Sequence, residues 1–259
     1  MADKLSEKDI ENINIEGTEE YAVMPLRNTV LFPQQVIPIY IGREKSLKLI
    51  SDIDLEKRKY IIVVAQEDGS IEDPSSEDLY SYGTLATVLK VFAMPDNSKS
   101  AIVQGIARVK ILDYLEKEPY FKAAASKVRD EPIPDHLEID NIVDNLRTSF
   151  SDLIKVAPNL TEEHTGMLSN IKKPNRLVDR AISLMTLPNQ EKQEILEEVN
   201  IKNRIDRAVS IINREIQRIK LGEEIQTEVH DEIAKTQREY YLREQMKAIQ
   251  KELGEDEGT

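Results

Sequence analysis

The chain has no cysteine and no tryptophan among its 259 residues. Without thiols it forms no disulfide and offers no thiolate to a metal, which fits a reducing compartment. Its three histidines, His136, His164 and His230, lie in separate segments without the spacing that zinc ligands need. The nine glycines include no pair five positions apart, so no Walker-type loop is there to cradle phosphates. There is no Gly-x-Ser-x-Gly elbow and no His-Glu-x-x-His. Apolar runs all fall short of the roughly 20 residues that span a bilayer. Serine and lysine do neighbour one another at Ser46/Lys48, Ser98/Lys99 and Ser126/Lys127. A catalytic lysine must be desolvated to lower its pKa, however, and each of these pairs reads as a solvated edge. No catalytic, cofactor-binding or metal-binding residue is therefore assigned, and the chain is expected not to be an enzyme by itself.

Charge is plentiful and unevenly placed. The net charge is −13, but much of it sits at the ends: residues 1–20 carry seven acidic residues against two lysines, and residues 251–259 carry four against one. The body between is only mildly acidic and lacks the basic stripe interleaved with aromatics that nucleic acid requires. Nucleic acid and membrane are both disfavoured as partners. An acidic start without an apolar core is unlike a targeting peptide, which makes the cytoplasm the expected location.

The remainder reads as α+β. After a disordered acidic leader over 1–20, short runs rich in Val, Ile and Tyr predict about seven strands. They lie at Ala22–Leu26, Val36–Ile41, Tyr60–Gln66, Thr84–Ala93, Ala101–Gln104, Arg108–Glu116 and Tyr120–Val128. One helical window interrupts them at Arg43–Ile53, and Pro25, Pro33, Pro38 and Pro95 suit edges and loops. Gly42 and Gly105 are expected at turns or bulges that need positive φ. The whole of 21–130 is expected to form a closed or nearly closed β-barrel. Glu131-Pro-Ile-Pro-Asp135 marks a boundary, beyond which the apolar period becomes helical. Ile139, Val143, Leu146, Phe150 and Leu153 share one face of the first helix, and 135–198 reads as a helical bundle. From residue 200 to 252 a long helix is expected. It carries a heptad seam at Ile205, Val209, Ile212, Ile216 and Ile219, a lapse around Gly222 to Gln226, a return at Ile225, Val229 and Ile233, and another at Leu242, Met246, Ile249 and Leu253.

Two groups of residues are candidates for contact with other molecules. Leu31, Phe32 and Pro33, with Met94 and Pro95, either plug the end of the barrel or form an exposed apolar patch that catches unfolded chains. Tyr240, Tyr241, Leu242, Met246, Ile249 and Leu253 form a seam for another subunit or domain.

The segment Gln237-Arg-Glu-Tyr-Tyr-Leu-Arg-Glu-Gln-Met-Lys-Ala-Ile-Gln-Lys-Glu-Leu-Gly254 closely resembles the stretch that leads into the ATPase module of Lon-type ATP-dependent proteases. Met24-Pro-Leu-Arg-Asn-Thr-Val-Leu-Phe-Pro33 and Gly42-Arg-Glu-Lys-Ser46 resemble the opening of the family's substrate-recognition domain. Val103-Gln-Gly-Ile-Ala-Arg-Val-Lys-Ile111 resembles its later hairpin, and Arg176-Leu-Val-Asp-Arg-Ala and the Asn203–Ile212 helix follow its helical region in pattern. The resemblance implies a PUA-like barrel, a bundle and a coiled-coil helix from a cytoplasmic homohexameric serine protease, with 253–259 as a truncated linker. Its implied partners are unfolded or degron-bearing proteins and further copies of the chain. ATP and magnesium are implied for the full-length protein and none for this chain. A free-standing adaptor and an RNA-binding barrel are the alternatives.

Overall fold

The computed structural model describes residues 5–6, 10, 18–53, 60–131 and 136–253. The proline-rich boundary at 132–135, most of the acidic leader and the last residues lie outside these. Leu5 and Ile10, expected in a disordered leader, are instead buried in a barrel core. Leu5 exchanges two backbone hydrogen bonds with the Gln104 amide, at 2.8 and 3.0 Å.

Six strands form the sheet: β1 (Thr18–Leu26), β2 (Val36–Ile41), β3 (Tyr60–Ala65), β4 (Tyr82–Ala93), β5 (Lys99–Glu116) and β6 (Lys122–Lys127). The order is β2-β5-β4-β3-β1-β6, and a further β5–β6 pairing closes five of them into a barrel. Only β1 and β3 run parallel. The expected strands at 101–104 and 108–116 are one strand, because Gly105 and Ile106 form a bulge opposite Leu85 and Ala86 instead of a turn. Gly105 is not at positive φ, and its role is close approach: a Cβ there would lie 2.3 Å from the Phe32 carbonyl oxygen. The first half of β5 pairs with β2 and the second half with β6, so β2 is left as a flap with one free edge. Pro38 is tolerated there because an edge strand needs fewer ladder donors.

β3 is buried on both faces. Ile62 and Val64 enter the core enclosed by the barrel, while Ile61 and Val63 enter a second core roofed by Leu49 and Ile50 of α1 (Glu44–Asp52). The helical part comprises α2 (His136–Val156), α3 (Glu162–Ser169), α4 (Pro174–Leu184), α5 (Asn189–Glu197) and α6 (Ile201–Leu253). Pro174 opens α4 at its first turn, where no N–H partner is lost. Asn200 begins α6 by accepting from the Asn203 N–H at 3.1 Å. The expected helical face holds: Ile139, Val143, Leu146, Phe150 and Leu153 are all buried against the other helices. α6 runs for 53 residues, about 80 Å at 1.5 Å per residue, with no break at Gly222.

The barrel and bundle share a core. Val30 and Phe32 from the β1–β2 loop and Ala65 from β3 pack among Leu177, Val178 and Ile195 of the helices. Beside this apolar contact lies a buried ionic cluster. The Arg108 guanidinium on β5 donates to Asp179 on α4 at 2.5 Å and to the Leu196 carbonyl at 2.9 Å. Arg204 on α6 donates to Asp130 at 2.5 Å and to the Glu198 carbonyl at 2.7 Å. Burial alone would lower the Arg108 pKa, but the Asp179 carboxylate outweighs it and holds the guanidinium above its ordinary value. Burial likewise opposes ionisation of Asp130, yet Arg204 and Arg108 together keep its carboxyl below the usual range.

Candidate functional site

The β2–β5–β4 flap presents an apolar face outward. Antiparallel register places Tyr40, Ser100 and Phe92 in one row across the three strands, and Pro38, Ile102 and Lys90 in the next. Side chains in one row point to the same side of a sheet. Tyr40 is 67% exposed, Phe92 38% and Met94 41%, and Pro38 and Pro95 are exposed beside them. The neighbouring rows point inward, with Ile39, Ala101 and Ile41 in the α1-roofed core. The face keeps its shape through a few polar ties. The Tyr40 hydroxyl donates to Asp96 at 3.0 Å, the Lys90 ammonium sits 4.5 Å from the Phe92 ring centre, and Asn97 turns the hairpin at φ 63°. Asn accepts that left-handed conformation more readily than most residues.

The structure separates the sequence candidates. Met94 and Pro95 belong to this face. Leu31 and Phe32 do not, being 2% and 1% exposed. Leu31 faces the barrel side and Phe32 the bundle side, so they are the plug and offer no surface patch. Pro33 is half-buried next to them. Sequence reasoning missed Tyr40, Pro38 and Phe92. The available signal was Val36-Ile-Pro-Ile-Tyr-Ile41, apolar at both alternating sets of positions although an edge strand normally keeps one set polar. Ser46 and Ser98, read as solvated, are buried; Ser98 donates to Asp96, and the Lys99 ammonium donates to Ser51 at 2.8 Å. Neither pair has the geometry of a dyad.

On α6, Ile205, Ala208 and Ile212 are fully buried against the bundle, while every residue of 220–252 is exposed. Tyr240, Tyr241, Leu242, Met246 and Ile249 are therefore uncovered in this chain. Leu253 is the last helical residue, and its side chain lies outside those described.

Residues 20–214 match the family model described as the ATP-dependent protease La (LON) substrate-binding domain. The chain belongs to the Lon family. Lon protease of Koribacter versatilis is 40% identical over 238 residues, covering 92% of this chain and 29% of the relative. Lon protease of Dictyoglomus thermophilum is 40% identical over 237 residues, covering 92% and 30%. The chain thus spans under a third of the length of these curated Lon relatives. Among solved structures, the N-terminal domain of a Mycobacterium avium complex Lon protease aligns with a TM-score of 0.61 at 18% identity, covering 75% of this chain and 98% of that one. The Lon N-terminal domain protein from Xanthomonas campestris aligns with a TM-score of 0.50 at 15% identity, covering 74% and 98%. These two likenesses establish the fold. Among the described residues there is no group of three or more His, Asp or Glu that could hold a metal ion. No helix among them is long and apolar enough to cross a membrane.

Proposed function

We propose that this chain is the substrate-recognition and assembly module of a cytoplasmic, ATP-dependent Lon-type serine protease that degrades misfolded and selected regulatory proteins. The observation that carries the recognition role is the outward row of Tyr40 and Phe92 with Met94 and Pro95, apolar residues left exposed on an ordered sheet. Such a face gains from covering its apolar area, at about 25 cal/mol per Å², whatever the exact sequence of the guest. An unfolded segment exposes apolar side chains and a folded protein does not, so the face discriminates by folding state. Each contact is weak. Copies of the chain joined through the exposed stretch of α6 raise the effective concentration of sites, and avidity makes up the difference. Nucleotide hydrolysis and peptide cleavage belong, in this reading, to the part of the relatives' length that this chain does not span.

Titration with a permanently unfolded protein and its folded counterpart tests the capture. Binding of the unfolded form alone is expected, weakened severalfold by Phe92→Ser combined with Met94→Ser. Equal binding of both forms, or no effect of the double variant, would refute it.

A further inference from the structure

Two of the sequence segments that mark the family, Met24–Asn28 and Gly42–Ser46, meet at a groove that shares Pro38 and Tyr40 with the apolar face but is not lined by Phe92 or Met94. It lies between the free edge of β2 and the upper half of β1, where β6 no longer pairs. The groove has a volume of about 430 Å³ and continues past the first turn of α1 into a second one of about 460 Å³. Leu26, Pro38, Ile39 and Tyr40 make the walls of the first arm apolar, and its only charged lining residues are Arg27 and Arg43. Glu44, Lys45, Glu72 and Asp73 all belong to the second arm.

The junction of the arms brings together Arg27, Arg43, Ser46 and the first turn of α1, with Glu44, Glu72 and Asp73 on the side of the second arm. Arg43 is the N-cap residue of α1 and makes no cap hydrogen bond; it donates to Gln66 at 2.6 Å and to the Ile71 carbonyl, neither of them charged. Burial, and then the nearby Arg27, hold its pKa below the ordinary guanidinium value, with Asp73 and Glu72 opposing more weakly. The first-turn N–H groups of α1 have no intrahelical partner and carry the positive end of the helix dipole. Ser46, in that turn, is 7% exposed, lines both arms and makes no hydrogen bond among the described residues. Its hydroxyl opens into the groove, where it and the guanidinium groups of Arg27 and Arg43 can donate to an acceptor arriving from outside.

We propose that this junction binds the C-terminal carboxylate of an extended peptide whose last residues are apolar and lie in the β1–β2 groove. β2 turns directly into α1 at Gly42, so a peptide added in parallel along the β2 edge reaches the first turn of α1 with its C-terminal end. An α-carboxylate arrives there on the main chain itself, with its preceding side chains on the apolar walls. This subsite rests on the reading of the chain as a substrate-recognition module, and names one substrate feature: an exposed apolar C-terminus.

Fluorescence anisotropy on the 259-residue chain tests it, with a labelled heptapeptide whose last four residues are apolar and end in a free carboxylate. C-terminal amidation and Arg27→Gln are each expected to weaken binding about tenfold or more, the loss typical of a charge-assisted bond, and Ser46→Ala severalfold. Arg27 is exposed, so circular dichroism of Arg27→Gln should match the parent. Phe92→Ser should leave peptide binding unchanged, and Arg27→Gln should leave capture of an unfolded, backbone-cyclised protein unchanged. Equal binding of the amidated peptide overturns the subsite. So does equal binding of an amidated peptide with an internal aspartate, or equal loss from Phe92→Ser. If the heptapeptide follows the expected pattern while the cyclised protein fails to bind, the Tyr40–Phe92 capture falls and the groove stands.

Discussion

Phe32→Ala is the most informative single change in this chain. The ring is 1% exposed and packs among helical residues although it belongs to the β1–β2 loop. Removing a buried phenylalanine costs about 3–5 kcal/mol, the value depending on how far the surroundings collapse into the cavity. Here the loop has little room to follow. The Thr84 hydroxyl donates to the Leu31 carbonyl at 2.5 Å, and the Phe32 N–H donates to the Gln35 side chain at 3.0 Å. Gln34 and Gln35 exchange backbone bonds with Gly105 at 2.9 Å each. A backbone held this way keeps the cavity open, so the upper part of the range is expected, about 4–5 kcal/mol. For a chain of this size that corresponds to a fall in Tm of about 10 °C or more. Urea unfolding followed at 222 nm reports the helices, and hydrogen exchange of β3 and β4 reports the barrel. Because Phe32 and Val30 sit in the bundle core while Leu31 sits in the α1-roofed core of the sheet, both probes should move together. A loss under about 1 kcal/mol, or a barrel that weakens while the helical transition stays in place, would refute the shared core.

Asp179→Ala removes the carboxylate that faces Arg108 and Arg204 and leaves buried charge uncompensated, a loss of about 3–5 kcal/mol in urea titration; adding Arg108→Met should recover part of it. Gly105→Ala forces its Cβ against the Phe32 carbonyl, so the strand or the loop must shift, and a fall in Tm with weakened exchange protection at Gln34 is expected. Asp130 carries a depressed carboxyl pKa in the folded chain, so its stabilising contribution is fully present above the unfolded carboxyl value of about 4 and is lost as pH falls through the lower folded value. Asp130→Asn should lower stability at pH 7 and flatten the acid limb of a stability-versus-pH profile, and an unchanged limb would contradict the assignment.

The architecture was legible where one physical signal dominated. The helical face through Ile139, Leu146 and Phe150 follows the 3.6-residue period, and β3 stands out as a short apolar run. Legibility failed where long-range pairing decides. Gly105 looked like a turn between two strands, and only its approach to Phe32 explains why one strand passes through it. Phe92 escaped for a related reason. Ala86 and Val88 face the α1-roofed core, and simple alternation would send residues 90 and 92 inward as well. A bulge between Val88 and Lys90 shifts the register by one, so Val91 turns in while Phe92 turns out. Bulges leave no reliable local mark in the sequence, and the candidate face depends on this one. Leu31 and Phe32 show the converse, since an apolar pair in a proline-flanked loop fits a plug and a patch equally until the helices that cover it are in place.

The two apolar stretches on the exposed part of α6, one from Ile225 and one from Leu242, do not continue the bundle-facing seam in one direction. At about 100° per residue, the thirteen residues from Ile212 to Ile225 amount to roughly 1300°, which sets Ile225 about 140° around the helix from the bundle-facing side. Val229 and Ile233 continue that second stripe with four-residue spacing. A further thirteen residues, from Ile233 to Met246, rotate the apolar side by the same angle again, and Leu242 and Ile249 share this third stripe. Because α6 is continuous across Gly222, these rotations carry through as changes in the direction that the apolar side faces. A straight partner helix laid along the second stripe leaves the third facing away from it. The assembly role proposed for α6 therefore requires either a partner that wraps around the helix or two partners approaching from different sides, and a simple parallel pairing of two such helices along one seam does not satisfy it.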